Sequence, residues 1–566
     1  MKGGFLYIAA VSGATVFFSA SLAAAPVPVA TPQPGNTPPP VTPGQVQSTL
    51  PTQQLPPKNV LSPSASAPIN AAGVAPGGPA FQVNSFSIEG NSVIPTDELQ
   101  AQIAGYLGKT LTLAQLYDVA DVLTRYYRAK GYGLAYVAPP AQKLSGGNVR
   151  LQVVEGRIGD VNVQGNSRTR SSVLRDRAVG LHSGEVYTDA AAERAVMLMN
   201  DLPGVSAHEV LSPGAQFGNS DILFNVDETG YSADASLDDY GRSVIGRWRL
   251  SADAAINSLT GSGDQLAAGI THSQGNELNF GKLSYALPVS PAGATLSTSF
   301  NRAEYHGLFS SAPGSPATGF SGSTQNAAIN WQDPVVRTTT KSVFWSAGLS
   351  YDNSRSETAA TNSLTTNILL LQINRYYTRT WADQSTFSLS TTLWTNGKHY
   401  DHAQSLNNVN AERGRFEADL GYQMPFGSSW SWVNQFNASY SVNTLTDADK
   451  FNLGGPGSVL GYQSAEERGD SGYFASSEIE RGMLLGKYLP MVWGLFLDTG
   501  KVWDKAGTLV VSGDNERGIS SGGLDLQLLP SSDKLNARLQ WAYAIGRHPA
   551  DGNGGGHIWF TLGMTF

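Results

Sequence analysis

The chain has 566 residues with only 14% charged side chains, a net charge of -8, no cysteine, and many glycines (62), tyrosines (22) and tryptophans (11). That length exceeds one ordinary domain, the lack of clustered Lys and Arg argues against a nucleic-acid surface, and the absence of cysteine excludes thiol catalysis and cysteine metal sites. Beyond the first two dozen residues no stretch approaches the roughly 20 apolar residues of a membrane-spanning helix, whereas Gly, Tyr and Trp among many Ser, Thr and Asn suit strands joined by turns.

Residues 1–25 read as a secretory signal: Lys2, an apolar core from Phe5 to Phe18, and small residues at Ser21-Leu22-Ala23 or Ala23-Ala24-Ala25 for cleavage. The core is short for a membrane anchor, and an exported chain without cysteine avoids unwanted disulfides. Residues 26–79, dominated by Pro, Ala, Gln, Thr, Ser and Gly and containing Pro38-Pro39-Pro40, cannot hold a helix or bury a core. They are expected to form a disordered linker, either a plain spacer or a tether able to reach into a pore.

Residues 80–156 pattern as a small α+β module. Phe81, Val83, Phe86 and Ile88 give a strand, Gly90-Asn91 a turn, and Asp97 to Tyr106 a short helix. A second helix opens on Thr112 and Gln115 at capping-box spacing, buries Leu116, Val119, Ala120, Leu123 and Tyr127 on one face, and stops at Gly131. Strands over Tyr132 to Val137 and Val149 to Val154 complete the unit. The same order recurs about 75 residues later over 157–227: Ile158, Val161 and Val163, the turn Gly165-Asn166, helices Ser171 to Val179 and Thr188 to Asn200, then strands Val205 to Leu211 and Asp221 to Val226. Such a module by itself fits many functions.

From 228 to 566 the pattern changes to two-faced strands. Phe416, Ala418, Leu420, Tyr422 and Met424 alternate with Glu417, Asp419, Gly421 and Gln423; Phe387, Leu389 and Leu393 alternate with Ser388, Ser390 and Thr392. Leu539, Trp541, Tyr543 and Ile545 behave likewise, as do Trp430, Trp432, Phe436, Ala438 and Tyr440. A soluble sandwich also alternates. The aromatic residues near strand ends, and a terminus running Ile558, Phe560, Leu562, Met564 and Phe566 on one parity, point instead to a membrane β-barrel with a C-terminal barrel signal. At about ten residues per strand and about ten per connection, the segment accommodates roughly 16 antiparallel strands.

The first-module string Arg125-Tyr126-Tyr127, Gly131-Tyr132, Pro140, Gln142, Leu151, Val153, Glu155, Gly156 resembles the polypeptide-transport-associated (POTRA) repeats of the two-partner secretion transporters (TpsB), the ShlB/FhaC/HecB-like haemolysin secretion/activation proteins of the outer-membrane assembly-factor superfamily. Asp239-Tyr240-Gly241 with Gly246 resembles the family's first barrel strand. Val459-Leu460-Gly461-Tyr462 after Gly454-Gly455 resembles its pore-loop tip, and Phe496-Leu497-Asp498-Thr499-Gly500 its barrel-wall motif. In the family an arginine at the tip pairs with the wall aspartate. Here Leu460 takes its place, so the resemblance implies that Asp498 lacks its usual cation unless Arg468 substitutes.

The resemblance implies an outer-membrane pore that receives an exoprotein partner on its periplasmic modules and exports it. Strand addition would suit an extended passenger, with Tyr127, Gly131, Tyr132 and Gln142 as candidate partner-binding residues beside helix 113–130 and strand 132–137. Implied partners are a secreted adhesin, haemolysin or filamentous protein, outer-membrane lipid and lipopolysaccharide, the barrel-assembly machinery and periplasmic chaperones; no cofactor, metal or nucleic acid is expected. An assembly factor for other barrels and a solute-conducting porin remain as alternatives. An enzyme is not expected: His399, Asp401 and His402 do not make a metal set, Gly454 to Gly461 lacks a phosphate-loop lysine, and no Ser-His-Asp pattern stands out.

Overall fold

The computed structural model describes residues 45–46, 80–143, 146–309, 316–358, 361–396, 413–445, 449–486, 489–505, 515–529, 534–549 and 556–566. The signal region, the linker apart from Gln45 and Val46, and His399, Asp401 and His402 lie outside the described residues.

The first module contains β1 (Phe81–Gln82), β2 (Ser85–Glu89), α1 (Thr96–Ile103), β3 (Thr110–Leu111), α2 (Leu113–Ala129), β4 (Tyr136–Ala138) and β5 (Asn148–Val154). Its three-stranded sheet has the order β2-β5-β4, with β2 and β5 parallel. The Thr112–Gln115 capping box closes both ways, at 3.3 and 2.9 Å, satisfying orphan amides at the start of α2. The apolar face of α2 then packs Leu116, Val119, Leu123 and Tyr127 against Val149, Leu151 and Val153 of the sheet. The second module repeats the plan with β6 (Arg157–Gln164), α3 (Ser171–Asp176), α4 (Asp189–Asn200), β7 (Val205–Pro213) and β8 (Asn219–Glu228), in the order β6-β8-β7 with β6 and β8 parallel.

A second level of repetition lies in the turns. Gly90 and Gly165 have φ of +86° and +90°, and in each a Cβ would stand 2.4 Å from the carbonyl oxygen of Val153 or Val226, so both positions require glycine. Asn91 and Asn166 then bridge their turns through Thr96 and Ser171, both at 3.0 Å. Each turn's amides converge on one carboxylate at the end of the last strand: Ser92 and Val93 donate to Glu155 at 2.5 and 2.9 Å, and Ser167, Arg168 and Thr169 donate to Glu228 at 2.6, 2.6 and 2.9 Å. Burial opposes charge on Glu155, but bonds from Ser92, Val93 and Tyr127 outweigh it and hold the carboxyl below its ordinary pKa; Glu228 is depressed in the same way by Ser167, Arg168 and Thr169.

The expected strand over 132–137 is shorter and later. Gly131 (φ +90°) starts a turn that Ala135 N–H closes on the Tyr132 carbonyl, and Leu134 leaves its own module to pack on the core of the second. Contact with the second module overrides strand propensity there.

The barrel strands are β9 (Tyr231–Asp238), β10 (Arg249–Asn257), β11 (Gln265–Ser273), β12 (Leu278–Pro288), β13 (Thr295–Phe309), β14 (Thr318–Arg337), β15 (Lys341–Thr358), β16 (Thr361–Thr380), β17 (Thr386–Asn396), β18 (Arg413–Phe426) and β19 (Trp430–Ser441). A hairpin, β20 (Phe451–Leu453) with β21 (Glu467–Gly469), interrupts them before β22 (Ser471–Leu485), β23 (Leu489–Trp503), β24 (Glu516–Leu528), β25 (Leu535–Ile545) and β26 (His557–Thr565). Sixteen antiparallel strands close into a barrel, β26 pairing with β9 from Thr561↔Asp238 to Thr565↔Asp234, and the Phe566 amide donates to Ala233 O at 2.8 Å. Closure leaves no strand edge for lipid to solvate. The alternation divides as the sequence predicts: Leu497, Leu539, Trp541, Ile558 and Met564 are exposed on the outside, while Glu417, Asp498, Asp525 and Gln540 are buried on the inside. Asp239-Tyr240-Gly241 lies just beyond the first strand rather than within it, in a turn where Asp239 accepts from Phe560 N–H at 2.7 Å and bonds Arg247 at 2.9 Å.

Candidate translocation pore and its lumenal loop

Because lipid takes the apolar parity, every second residue is left to the lumen, and the lumen is lined by paired charges and amides. Arg538 faces Asp525 at 2.8 Å, Arg415 faces Glu417 at 3.2 Å, and Lys282 faces Asp253 at 2.5 Å. Asn326 and Asn437 donate to Asp352 and Asp419 at 2.7 and 2.5 Å. Among the described residues, no group of three or more His, Asp or Glu is placed to hold a metal, and no helix is long and apolar enough to cross a membrane.

Residues 442–445 and 449–470, between β19 and β22, fold back into this lumen. Their root is ionic: Lys450 is wholly buried between Asp470 at 3.3 Å and Asp504 at 2.6 Å, and Arg517 joins Asp504 and Glu467, both at 2.9 Å. Arg547 adds a further pair with Glu467. Above the root, Phe451, Leu453, Val459 and Tyr462 pack on Phe474, Val502 and Ile519 of the wall. Tyr462 OH donates to Arg547 O at 2.7 Å, and Arg242 donates to Ser464 O at 2.5 Å.

At the tip the loop meets the wall motif. Leu460 is buried with Phe496, Ala542 and Trp559, with Tyr240 at the edge. Its N–H donates to Asp498 Oδ2 at 3.2 Å, and its carbonyl accepts from Trp559 Nε1 at 2.7 Å. Ser521 Oγ donates to Asp498 at 3.3 Å and the Ser476 hydroxyl also bonds it; among the described residues no Lys, Arg or His pairs with it. Arg468 sits in β21 opposite Asn452, and its carbonyl accepts from Arg517. The aspartate therefore meets the loop through a backbone amide and its own wall through two hydroxyls, a neutral donor set in place of a cation. Gly461 lies so close to the wall that a Cβ would stand 2.6 Å from Ser521 Cβ and 2.9 Å from Ala544 N; Gly500 is similarly closed by Leu453 at 2.6 Å.

Two residues of the linker also lie in the lumen. Val46 is fully buried among Ile245, Leu278, Phe280, Tyr305 and Phe320, and Gln45 reaches Ala465 O at 3.4 Å.

The four candidate partner-binding residues do not form one surface. Tyr127 is fully buried, its hydroxyl 3.3 Å from Glu155. Gly131 accepts the Asp189 N–H at 2.9 Å, tying the two modules together, and Tyr132 packs edge-on to Tyr127. Gln142 brackets Arg150, accepting from its N–H and donating to its carbonyl, each at 2.8 Å. On β4 the Val137 amide that a partner strand would need is already bonded to Thr124 Oγ1 at 2.9 Å. The other outer strand of the sheet is β2. Phe560 and Leu562 are half-buried and Met564 and Phe566 exposed along β26. The ionic root, Lys450, Asp470, Asp504, Glu467 and Arg517, carried no sequence signal, since isolated charges in loops and at strand ends have no period.

Two periplasmic α+β modules joined to a sixteen-stranded barrel with a loop folded into its lumen define the architecture of an outer-membrane transporter. The profile of the haemolysin secretion/activation proteins ShlB/FhaC/HecB matches residues 218–520, more than half of the chain, and that of the ShlB-type POTRA domain matches 81–156; the chain belongs to this family. It is 24% identical over 450 residues to the heme/hemopexin transporter protein HuxB of Haemophilus influenzae (strain 86-028NP), covering 77% of this chain and 78% of that one. It is 22% identical over 412 residues to the outer membrane transporter CdiB of Dickeya dadantii (strain 3937), covering 71% and 72%. The fold superposes on CdiB from Escherichia coli with a TM-score of 0.70 at 16% identity, covering 89% of this chain and 94% of that one. A BamA from Haemophilus ducreyi lacking POTRA domains 1-3 gives 0.51 at 17% identity, covering 86% and 100%.

Proposed function

We propose that this chain exports one exoprotein partner of the adhesin, haemolysin or filamentous kind, taking it unfolded from the periplasm and passing it through the barrel. The observation that carries this reading is the lumenal loop. It lies in the lumen against the wall, where its tip makes one hydrogen bond each to Asp498, Trp559 and Arg547 beside a small apolar contact and its root is held by ion pairs, polar contacts that water can replace as a chain enters. Displacement of residues 442–470, and of the segment at Gln45 and Val46, would open the path. With the Val137 amide of β4 occupied, passenger docking by strand addition falls to β2. The apolar outer face implies lipid contact, and the terminal strand through Phe566 implies delivery by periplasmic chaperones and the barrel-assembly machinery.

Mass spectrometry of culture supernatants with and without this protein tests the reading. One large polypeptide should vanish from the medium and be retained in the periplasm, and deletion of 81–226 should abolish export while the barrel still inserts. An unchanged supernatant with depleted outer-membrane barrels would favour an assembly factor, and conductance for small solutes that survives the deletion would favour a porin.

A further inference from the structure

Outside the pore, the lipid-facing wall carries a concavity. Ala438 of β19 pairs with Ala418 on one side and Tyr473 on the other, and Phe416 pairs with Tyr440. Small side chains in the centre, ringed by Phe416, Phe436, Tyr440, Tyr473 and Trp503, leave an almost wholly apolar cleft of about 420 Å³. Phe436 and Tyr473 stack at 6.3 Å between centroids and fix one wall. The lining residues lie near the strand ends that adjoin loop 442–470, the ends opposite the periplasmic modules, so the cleft opens into the outer leaflet. A lysine stands at its mouth: Lys505 Nζ lies 4.2 Å from the centroid of the Tyr440 ring, while the Lys501–Glu516 ion pair stands opposite Tyr473. The Lys505 backbone is held in place by its N–H to Asp470 at 2.8 Å.

We propose that this cleft is a binding site for lipid A, the phosphorylated, multiply acylated anchor of lipopolysaccharide. An acyl chain fills the aromatic concavity, where an empty wall would forfeit dispersion contacts and water would find no hydrogen-bond partners. A glucosamine phosphate meets Lys505, whose ammonium lies over the Tyr440 ring at the extracellular end of the cleft. The Lys505 ammonium selects an anionic headgroup, and the extracellular position selects the lipid of the outer leaflet. The site is independent of the passenger and of the export reading.

Native mass spectrometry of the full chain in detergent, titrated with purified hexa-acylated lipid A or with phosphatidylglycerol, tests the proposal. Lipid A should bind at roughly tenfold lower concentration than phosphatidylglycerol. Ala438→Trp, which fills the cleft, and Lys505→Glu, which reverses the rim charge, should each weaken lipid A binding by about tenfold, whereas Leu283→Trp on the outer face of β12 should not. Heat-modifiable migration confirms that each variant forms the barrel, and the surface change Lys505→Glu carries the test if Ala438→Trp does not assemble. Equal binding of phosphatidylglycerol, or unweakened lipid A binding in either correctly assembled variant, would overturn it.

Discussion

Asp498 and Glu155 solve the same problem, a carboxylate taken out of bulk water, with neutral donors. Glu155 gathers the amides of Ser92 and Val93, and because its folded pKa lies below the ordinary 4.5, the unfolded chain binds the proton more tightly. Its contribution to module stability is therefore complete above that ordinary value and is lost as pH falls through the depressed one. Glu155→Gln should cost about 1–3 kcal/mol at neutral pH and flatten this acid-side dependence; hydrogen exchange at the Ser92 and Val93 amides, followed against pH, would show it. At the loop tip Gly461→Ala sets a Cβ against Ser521 and the Ala544 backbone. Overpacking there should cost about 1–3 kcal/mol of loop docking, seen as more frequent channel openings in planar bilayers and altered export.

Among the elements, the hairpin of β20 and β21 is held in the lumen chiefly at its root. Lys450 is the sole cation in salt-bridge contact with Asp470 among the described residues, and it shares Asp504 with Arg517. Lys450→Met removes the positive charge from between two buried carboxylates, at a cost of about 3–5 kcal/mol. Loop residues such as Val459 and Tyr462 should then become accessible to a cysteine-reactive probe from outside when replaced by cysteine, while the barrel stays folded. The same elements show the reach of sequence patterns. The capping box at Thr112 and Gln115 and the alternation of Phe416 to Met424 were legible because local geometry imposes their period. The position of β4 was not, because Leu134 is recruited by the neighbouring module, whereas the burial of Tyr127 followed from the helical period.

For the whole molecule, the joint between the second module and the barrel is made by α4. Asp201, at the end of α4, forms a two-pronged pair with Arg337 at 2.6 and 2.9 Å, and the Arg337 side chain is fully buried. Glu193 accepts from the Thr339 amide at 2.6 Å, Arg194 donates to Pro334 O at 3.1 Å, and Leu198 fills the space above Gly293. These contacts fix α4 on the periplasmic turns after β12 and β14. Asp201→Ala should weaken the joint by about 3–5 kcal/mol, loosening exchange protection of α4 and lowering export without preventing barrel closure.

The sequence by itself determined the number and kind of elements: the repeated module with its Gly-Asn turn, the two-faced strands and a barrel of sixteen. Each follows from interactions within a few residues or from a period that one solvent boundary imposes. What faces Asp498, where Val46 lies, which carboxylates share Lys450, and how Asp201 finds Arg337 were decided only by the tertiary structure. Those partners stand tens to hundreds of residues apart, and closure of the β26–β9 seam and the folding back of the loop set the distances between them.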